Sequence, residues 1–203
     1  SKSSDSAGVT PAAAIVKNEE DFEAQSSTLT AATHTFIGRY PGSLGNDLQV
    51  QMCHANDSAF TNWGFKSEFD AKPATSNFLT KKNGTNDEVH AVILDKDGKF
   101  TGTKNTVLER YSFLSLAKDA KAEDGTSIYV KDVINERSEY VFMAGFDSAV
   151  TANVTTAGRV ALDSGDNFLS TGSGLFNRHF TFNFSGRRNS NASTTTPFLT
   201  AFD

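Results

Sequence analysis

Cysteine occurs once in the 203 residues, at Cys53, which excludes an intrachain disulfide and any cysteine-rich zinc site. No apolar run approaches the ~18 residues of a spanning helix. A basic excess is missing as well. Nineteen Lys and Arg against 24 Asp and Glu leave a net charge of -5, which argues against nonspecific nucleic-acid binding and against docking on an anionic membrane surface. Ser1–Pro11 carries no basic segment followed by an apolar one, so no signal peptide is read there. Neither a dinucleotide glycine fingerprint nor a P-loop occurs, and no two histidines lie four apart. Tryptophan is single and tyrosine occurs four times, but phenylalanine occurs 17 times. A Phe-rich core suits a pleated sheet.

Residues 1–14 are rich in Ser and Ala without periodicity and are expected to form a mobile tail or linker. Lys17–Gln25 reads as a short acidic helix with Asn18 as N-cap and Phe22 as its apolar anchor. Phe36–Tyr40 is a short apolar run that stops at Pro41-Gly42. Leu48, Val50 and Met52 alternate with Gln49, Gln51 and Cys53, the period of a half-buried strand. Asn56–Lys72 is turn-rich but holds Phe60, Trp63, Phe65 and Phe69, and reads as an ordered loop pinned by aromatics. Glu88–Leu94 is a strand, Asp95–Gly98 a tight turn, and Lys99–Thr103 is expected to return as the second arm of a hairpin. Further strands are expected at Val107–Leu116, Ile128–Val130, Tyr140–Ala144 and Phe176–Phe184, with one helical turn at Asp132–Arg137. Thr196-Pro197 reads as a helix start whose body is expected to continue past Asp203.

Several residue types could carry chemistry, and each has a structural alternative. His34, His54, His90 and His179 are scattered and read as ordinary surface or half-buried histidines. Asp95-Lys96-Asp97-Gly98 echoes a calcium loop, yet the twelfth position is Thr106 where a bidentate Glu is needed, so a hairpin turn is the better reading. Gly42-Ser43-Leu44-Gly45 resembles a nucleophile elbow but has Pro41 where the pattern needs glycine. Cys53 and His54 are adjacent on a strand and so point to opposite faces, which prevents a nucleophile–base pair and leaves Cys53 as a buried, inert thiol. Arg187-Arg188 is a lone basic pair in a polar stretch. Asn-x-Ser/Thr triplets occur at Asn56, Asn83, Asn153, Asn183 and Asn191. No catalytic, cofactor-binding or metal-ligating residue is assigned, and no cofactor is expected.

Several pieces in fixed order resemble the tail sheath protein of contractile-tailed bacteriophages. They are Lys17–Phe22, Arg39–Asn46, Asp87–His90 leading to Asp95-x-Asp-Gly98, Thr101–Thr103 with Val107–Glu109, Ala117–Lys121 with Asp124-Gly125, and Tyr129–Asn135 leading to Ser138-x-Tyr140. The similarity covers Ile15–Met143, thins over Gly145–Gly186 and returns at Leu199–Asp203. The resemblance implies a structural subunit that stacks around a tail tube and rearranges from an extended to a contracted helix. It implies a location in the virion tail after assembly in the host cytoplasm. The implied partners are neighbouring sheath subunits, the tail tube protein, and baseplate and tail terminator proteins. It also implies that this stretch is an outer or middle domain without the N-terminal arm and C-terminal core, so that the piece alone is monomeric.

The expected fold class is α+β: a mainly antiparallel or mixed sheet, sandwich-like, with a few short helices at its side. The expected divisions are a linker over residues 1–14, a β-rich domain over 15–186 with 145–186 either part of it or a sub-lobe, and a linker with a helix start over 187–203. Two other functions compete with the sheath role. A carbohydrate-binding or surface-decorating module would need Phe60, Trp63 and Phe65 as an exposed platform, whereas a buried Trp63 would mark a pinned loop. A hydrolase would need Asp87 or Glu88 within ~5 to ~9.5 Å of Asp95 or Asp97 across a cleft.

Overall fold

The computed structural model describes residues 2–4, 16, 18–25, 29, 36–40, 42–55, 57–82, 84, 86–144 and 179–185. The strands are β1 (Lys2–Ser4), β2 (Phe36–Gly38), β3 (Leu48–His54), β4 (Glu88–Asp95), β5 (Thr106–Ser115), β6 (Val141–Met143) and β7 (His179–Ser185). They form one seven-stranded sheet in the order β5-β4-β3-β7-β1-β2-β6. Every pairing in it is antiparallel. The helices are short: α1 (Glu19–Ala24), α2 (Asp57–Asn62), α3 (Asn77–Thr80) and α4 (Val130–Arg137). The α+β class with a mainly antiparallel sheet and a few short helices is therefore what the chain adopts.

The alternation in β3 sets the layers. Leu48, Val50 and Met52 are buried on one face beside Val89, Ala91 and Ile93 of β4. Val130, Val133 and Ile134 of α4 cover that face, which also holds Phe36, Val141, Met143 and Phe184. On the other face Cys53, Val92 and Leu94 lie under Ala59, Trp63 and Phe69. At the far end of that second face Ile37 and Phe142 lie under Phe22 of α1, whose ring stacks on Phe142 at 4.5 Å. Both faces of β4 are thus covered, which accounts for its nearly continuous apolar run.

Helix α1 forms as its sequence dictates. The Asn18 side chain accepts the Asp21 N–H at 2.8 Å, and Glu19, Glu20 and Asp21 fill the first turn. Four segments depart from the sequence expectation. Lys2–Ser4, inside the stretch expected to be a linker, is strand β1 between β7 and β2. Main-chain pairing on both sides supplies an order that Ser-rich composition does not encode. Lys99–Thr103 is not a returning strand; the loop between β4 and β5 is longer, and β5 starts at Thr106. Val130 opens α4 rather than closing a strand, because Val130, Val133 and Ile134 at helical spacing bury against the sheet. Ile128 and Tyr129 keep only an isolated bridge to Ser115. Asn56–Lys72, expected as a loop, contains α2 and a 3-10 helix over Lys66–Glu68. Strand β7 brings the end of 145–186 into the middle of the sheet. Residues 145–178 and the expected helix start at Thr196 lie outside the described residues.

Candidate functional site

The loop leaving β4 is built around two carboxylates. Asp47, at the end of a 3-10 helix over Gly42–Asp47, accepts Asp97 N–H at 2.8 Å and Lys99 N–H at 3.0 Å. Asp95 accepts the N–H groups of Gly98 at 3.0 Å, Phe100 at 3.1 Å and Thr101 at 2.6 Å, and the Thr101 hydroxyl at 2.7 Å. Burial alone would raise the Asp95 carboxyl; hydrogen bonds from Asp47, Thr101 and Phe100 outweigh it and hold it down to about 2. Asp47 is pushed up, first by burial and then by the Asp95 carboxyl beside it. The oxygens that a calcium loop would turn toward a cation instead receive N–H and O–H donors. Among the described residues no group of three or more His, Cys, Asp or Glu could hold a metal ion.

Beside this loop three rings meet. Tyr40 lies 5.0 Å from Phe100 and 5.7 Å from Tyr140, and Phe100 lies 5.6 Å from Tyr140. Arg39 N–H donates to Tyr140 O at 2.8 Å. Its guanidinium donates to Asn135 O at 2.8 Å and Val141 O at 3.3 Å and sits 3.7 Å from the centre of the Phe142 ring. Glu109 accepts Glu139 N–H at 2.8 Å and the Tyr111 hydroxyl at 2.9 Å. Pieces far apart in the chain, Arg39–Asn46, Asp95–Gly98, Val107–Glu109 and Ser138–Tyr140, therefore close on one another in one corner.

At the opposite end of β4, Asp87 is buried. It accepts Ser76 N–H and the Ser76 hydroxyl, both at 2.8 Å, and the Ser115 hydroxyl. It ties the N-cap of α3 to the end of β5. Glu88 next to it accepts Ala74 N–H at 2.8 Å, and burial pushes its carboxyl up. Glu88 lines a groove of about 550 Å³ together with Phe78, Lys81, Lys121, Glu123 and Ile128, a lining of both charge signs. Asp87 and Asp95 flank the two ends of one strand, eight residues and so roughly 26 Å apart at the rise of an extended chain. The carboxylate pair considered for hydrolysis is not brought together.

The remaining candidates fall into the core. Trp63 is 1% exposed, so it offers no sugar platform and pins its loop as the burial criterion required. Its indole N–H donates to Gln51 at 3.0 Å, Gln51 donates to Gln49 at 2.8 Å, and Gln49 to Asn183 at 2.7 Å. This relay links the aromatic loop, β3 and β7. Burial pushes the Cys53 thiol up to about 12, so it stays protonated and inert. Ser43 lies within the 3-10 helix that runs straight into β3. His90 stacks on Phe69 at 4.2 Å and meets the Phe113 ring edge-on at 4.7 Å. Sequence reading missed this histidine's role; its place opposite Cys53 becomes visible only with the strand register. His34, Arg187, Arg188, Asn56, Asn83, Asn153 and Asn191 lie outside the described residues, as does the side chain of His179.

These features define an α+β module on one antiparallel sheet, with its paired acids and amides engaged in shaping its own loops. No family model matches the chain. Over 121 residues, 60% of the chain, it is 32% identical to a protein named Tail sheath protein from Salmonella phage ViI. The matched stretch is 16% of that protein's length, so the chain spans a small part of the relative it resembles.

Proposed function

We propose that this chain is a non-catalytic, structural domain of a phage tail sheath subunit. In this reading it occupies the outer or middle part of a subunit that polymerises around the tail tube and contracts to drive the tube through the host envelope. The observation that carries the reading is the 32% identity to the Salmonella phage tail sheath protein. The internal use of Asp47, Asp87, Asp95 and Glu109 as acceptors for loop N–H groups and hydroxyls supports it, because a module repeated many times needs stiff, reproducible loops. Its partners in the virion are neighbouring sheath subunits, the tube, and the baseplate and terminator proteins. Contacts between successive copies in such a polymer are heterologous and open, and so generate a helix. Without a nucleotide loop, contraction would draw on the difference in interface burial between two packings. The isolated chain is monomeric in this reading.

Antibodies raised against the chain and imaged with gold on intact virions test the role. Label along the length of the tail is the expected result. Label confined to the capsid, fibres or baseplate, or absent from the virion, would overturn it.

A further inference from the structure

Strand β5 carries an irregularity with its own logic. Val89 pairs with Leu114 and Ala91 with Tyr111, so His90 faces two residues, Ser112 and Phe113. This is a bulge in the outermost strand of the sheet. Phe113 sits there at φ +53°, a conformation that a bulky side chain rarely adopts. Phe113 is 38% exposed, more open to solvent than any other large apolar residue among the described residues. Strain of this kind persists only where its surroundings over-determine it.

His90 supplies the determinant. Phe113 N–H donates to His90 Nδ1 at 3.0 Å. Nδ1 is therefore an acceptor, Nε2 carries the proton, and Nε2 donates to Ala71 O at 2.8 Å. The imidazole is neutral in this arrangement, buried, and clamped between the Phe69 face and the Phe113 edge. A second proton would sit on Nδ1, pointing at an N–H donor. We propose that His90 is a proton-operated latch on the β5 bulge: neutral, it holds Phe113 in its strained, outward position, and protonated, it releases the Phe113 N–H and lets the end of β5 relax.

The surroundings favour the neutral form at pH 7. Burial lowers the proton affinity of His90, opposed by the bonds to Ala71 and Val89, and no neighbouring charge is among the causes. The elements packed against His90 carry Cys53 and His54 on β3, Glu109, Arg110 and Tyr111 on β5, Asp57 on α2, and Lys66, Glu68, Asp70 and Lys72 around Ala71; of these Glu68 and Arg110 pair with each other at 3.7 Å. The Cys53 thiol stays protonated throughout the acid range. The folded value lies below the unfolded ~6.5, so the latch opens, and its stabilisation is lost, as pH falls from neutral toward that depressed value.

The test is an amide and imidazole NMR titration of the chain from pH 7.5 to 4.5, with Arg110, paired to Val92, as internal reference. The expected result is that the Phe113 amide shift follows the His90 imidazole with one midpoint, below 6.5. Exchange of the Phe113 amide should accelerate at least tenfold relative to Arg110 across it. In His90→Gln, which offers both an acceptor and a donor but does not titrate, the Phe113 amide should stay flat. The wild-type titration decides the matter alone if that variant does not fold. A Phe113 amide that stays fixed while His90 titrates, or a His90 that stays neutral to pH 4.5 in a folded chain, would overturn the proposal.

Discussion

A carboxylate that accepts three backbone N–H groups and a hydroxyl fixes more of the chain than its own position. Asp95 does this for Gly98, Phe100 and Thr101. In Asp95→Asn the amide NH₂ would face donors, leaving buried groups unpaired at a cost of about 2–4 kcal/mol, to be read from urea unfolding at pH 7. The sign with pH follows from the depressed carboxyl. Its stabilisation is present above the ordinary carboxylate value of ~3.9 and disappears as pH falls through the folded value of about 2. The stabilities of wild type and variant should therefore converge toward pH 2. The raised Asp47 works in the opposite direction, so the acid loss of the pair is smaller than that of Asp95 alone. The turn at Asp95–Gly98 was readable in the sequence as Asp-x-Asp-Gly. The partner Asp47, nearly fifty positions earlier, was not, because nothing local marks which acid will be folded against the loop.

At the scale of elements, the same loop contains a controlled comparison. Gly98 and Gly102 both sit at φ +86°. A Cβ on Gly98 would stand 3.0 Å from the Thr103 carbonyl carbon and 3.1 Å from two backbone nitrogens, while one on Gly102 would meet nothing within 4 Å. Gly102→Ala should cost about 1 kcal/mol, the conformational penalty alone. Gly98→Ala should cost roughly 2–4 kcal/mol because rigid backbone must move as well, and the separation of the two melting temperatures checks this. Elements governed by local signals were legible: α1 through its Asn18 cap, and β3 through strict alternation. Elements governed by partners were not. Ile128-Tyr129-Val130 has strand composition, but burial against the sheet makes Val130 helical. Lys99–Thr103 looks extended until Asp47 and Asp95 draw its N–H groups inward. Of the groups that anchor the two sites, Asp95 leaves a local signature in its turn, whereas Asp47 and the His90 bulge leave none.

The sheet as a whole ends on two unlike edges. On β6, Asn135 accepts Met143 N–H at 2.7 Å and donates to Met143 O at 3.0 Å, the Ser138 hydroxyl accepts Val141 N–H at 3.1 Å, and Arg39 donates to Val141 O. Side chains thus stand where a further strand would pair. Asn135→Ala should cost about 2 kcal/mol and open this edge, giving concentration-dependent light scattering at pH 7 where the parent chain gives none. Scattering indistinguishable from the parent would refute the sealing role. The other edge, β5, is interrupted by the bulge at Phe113 rather than capped. Two different devices therefore limit strand addition at the two sides of one molecule.

The interleaved order of the sheet has a consequence for how the chain comes to exist. Among the described strands, β7 comes latest in the chain, yet it separates β3 from β1, which comes earliest. During synthesis β3, β4 and β5 can zip together as soon as they leave the ribosome, since each neighbours the next in sequence. The other half, β1, β2 and β6, has no strand pairing with them until residues 179–185 emerge. Until then the facing edges of β3 and β1 stay open, and the backbone ladder becomes continuous only when that single late segment slides between them. Such long-range closure is slow by nature, and the interval before it is when neighbouring nascent copies are most exposed to one another.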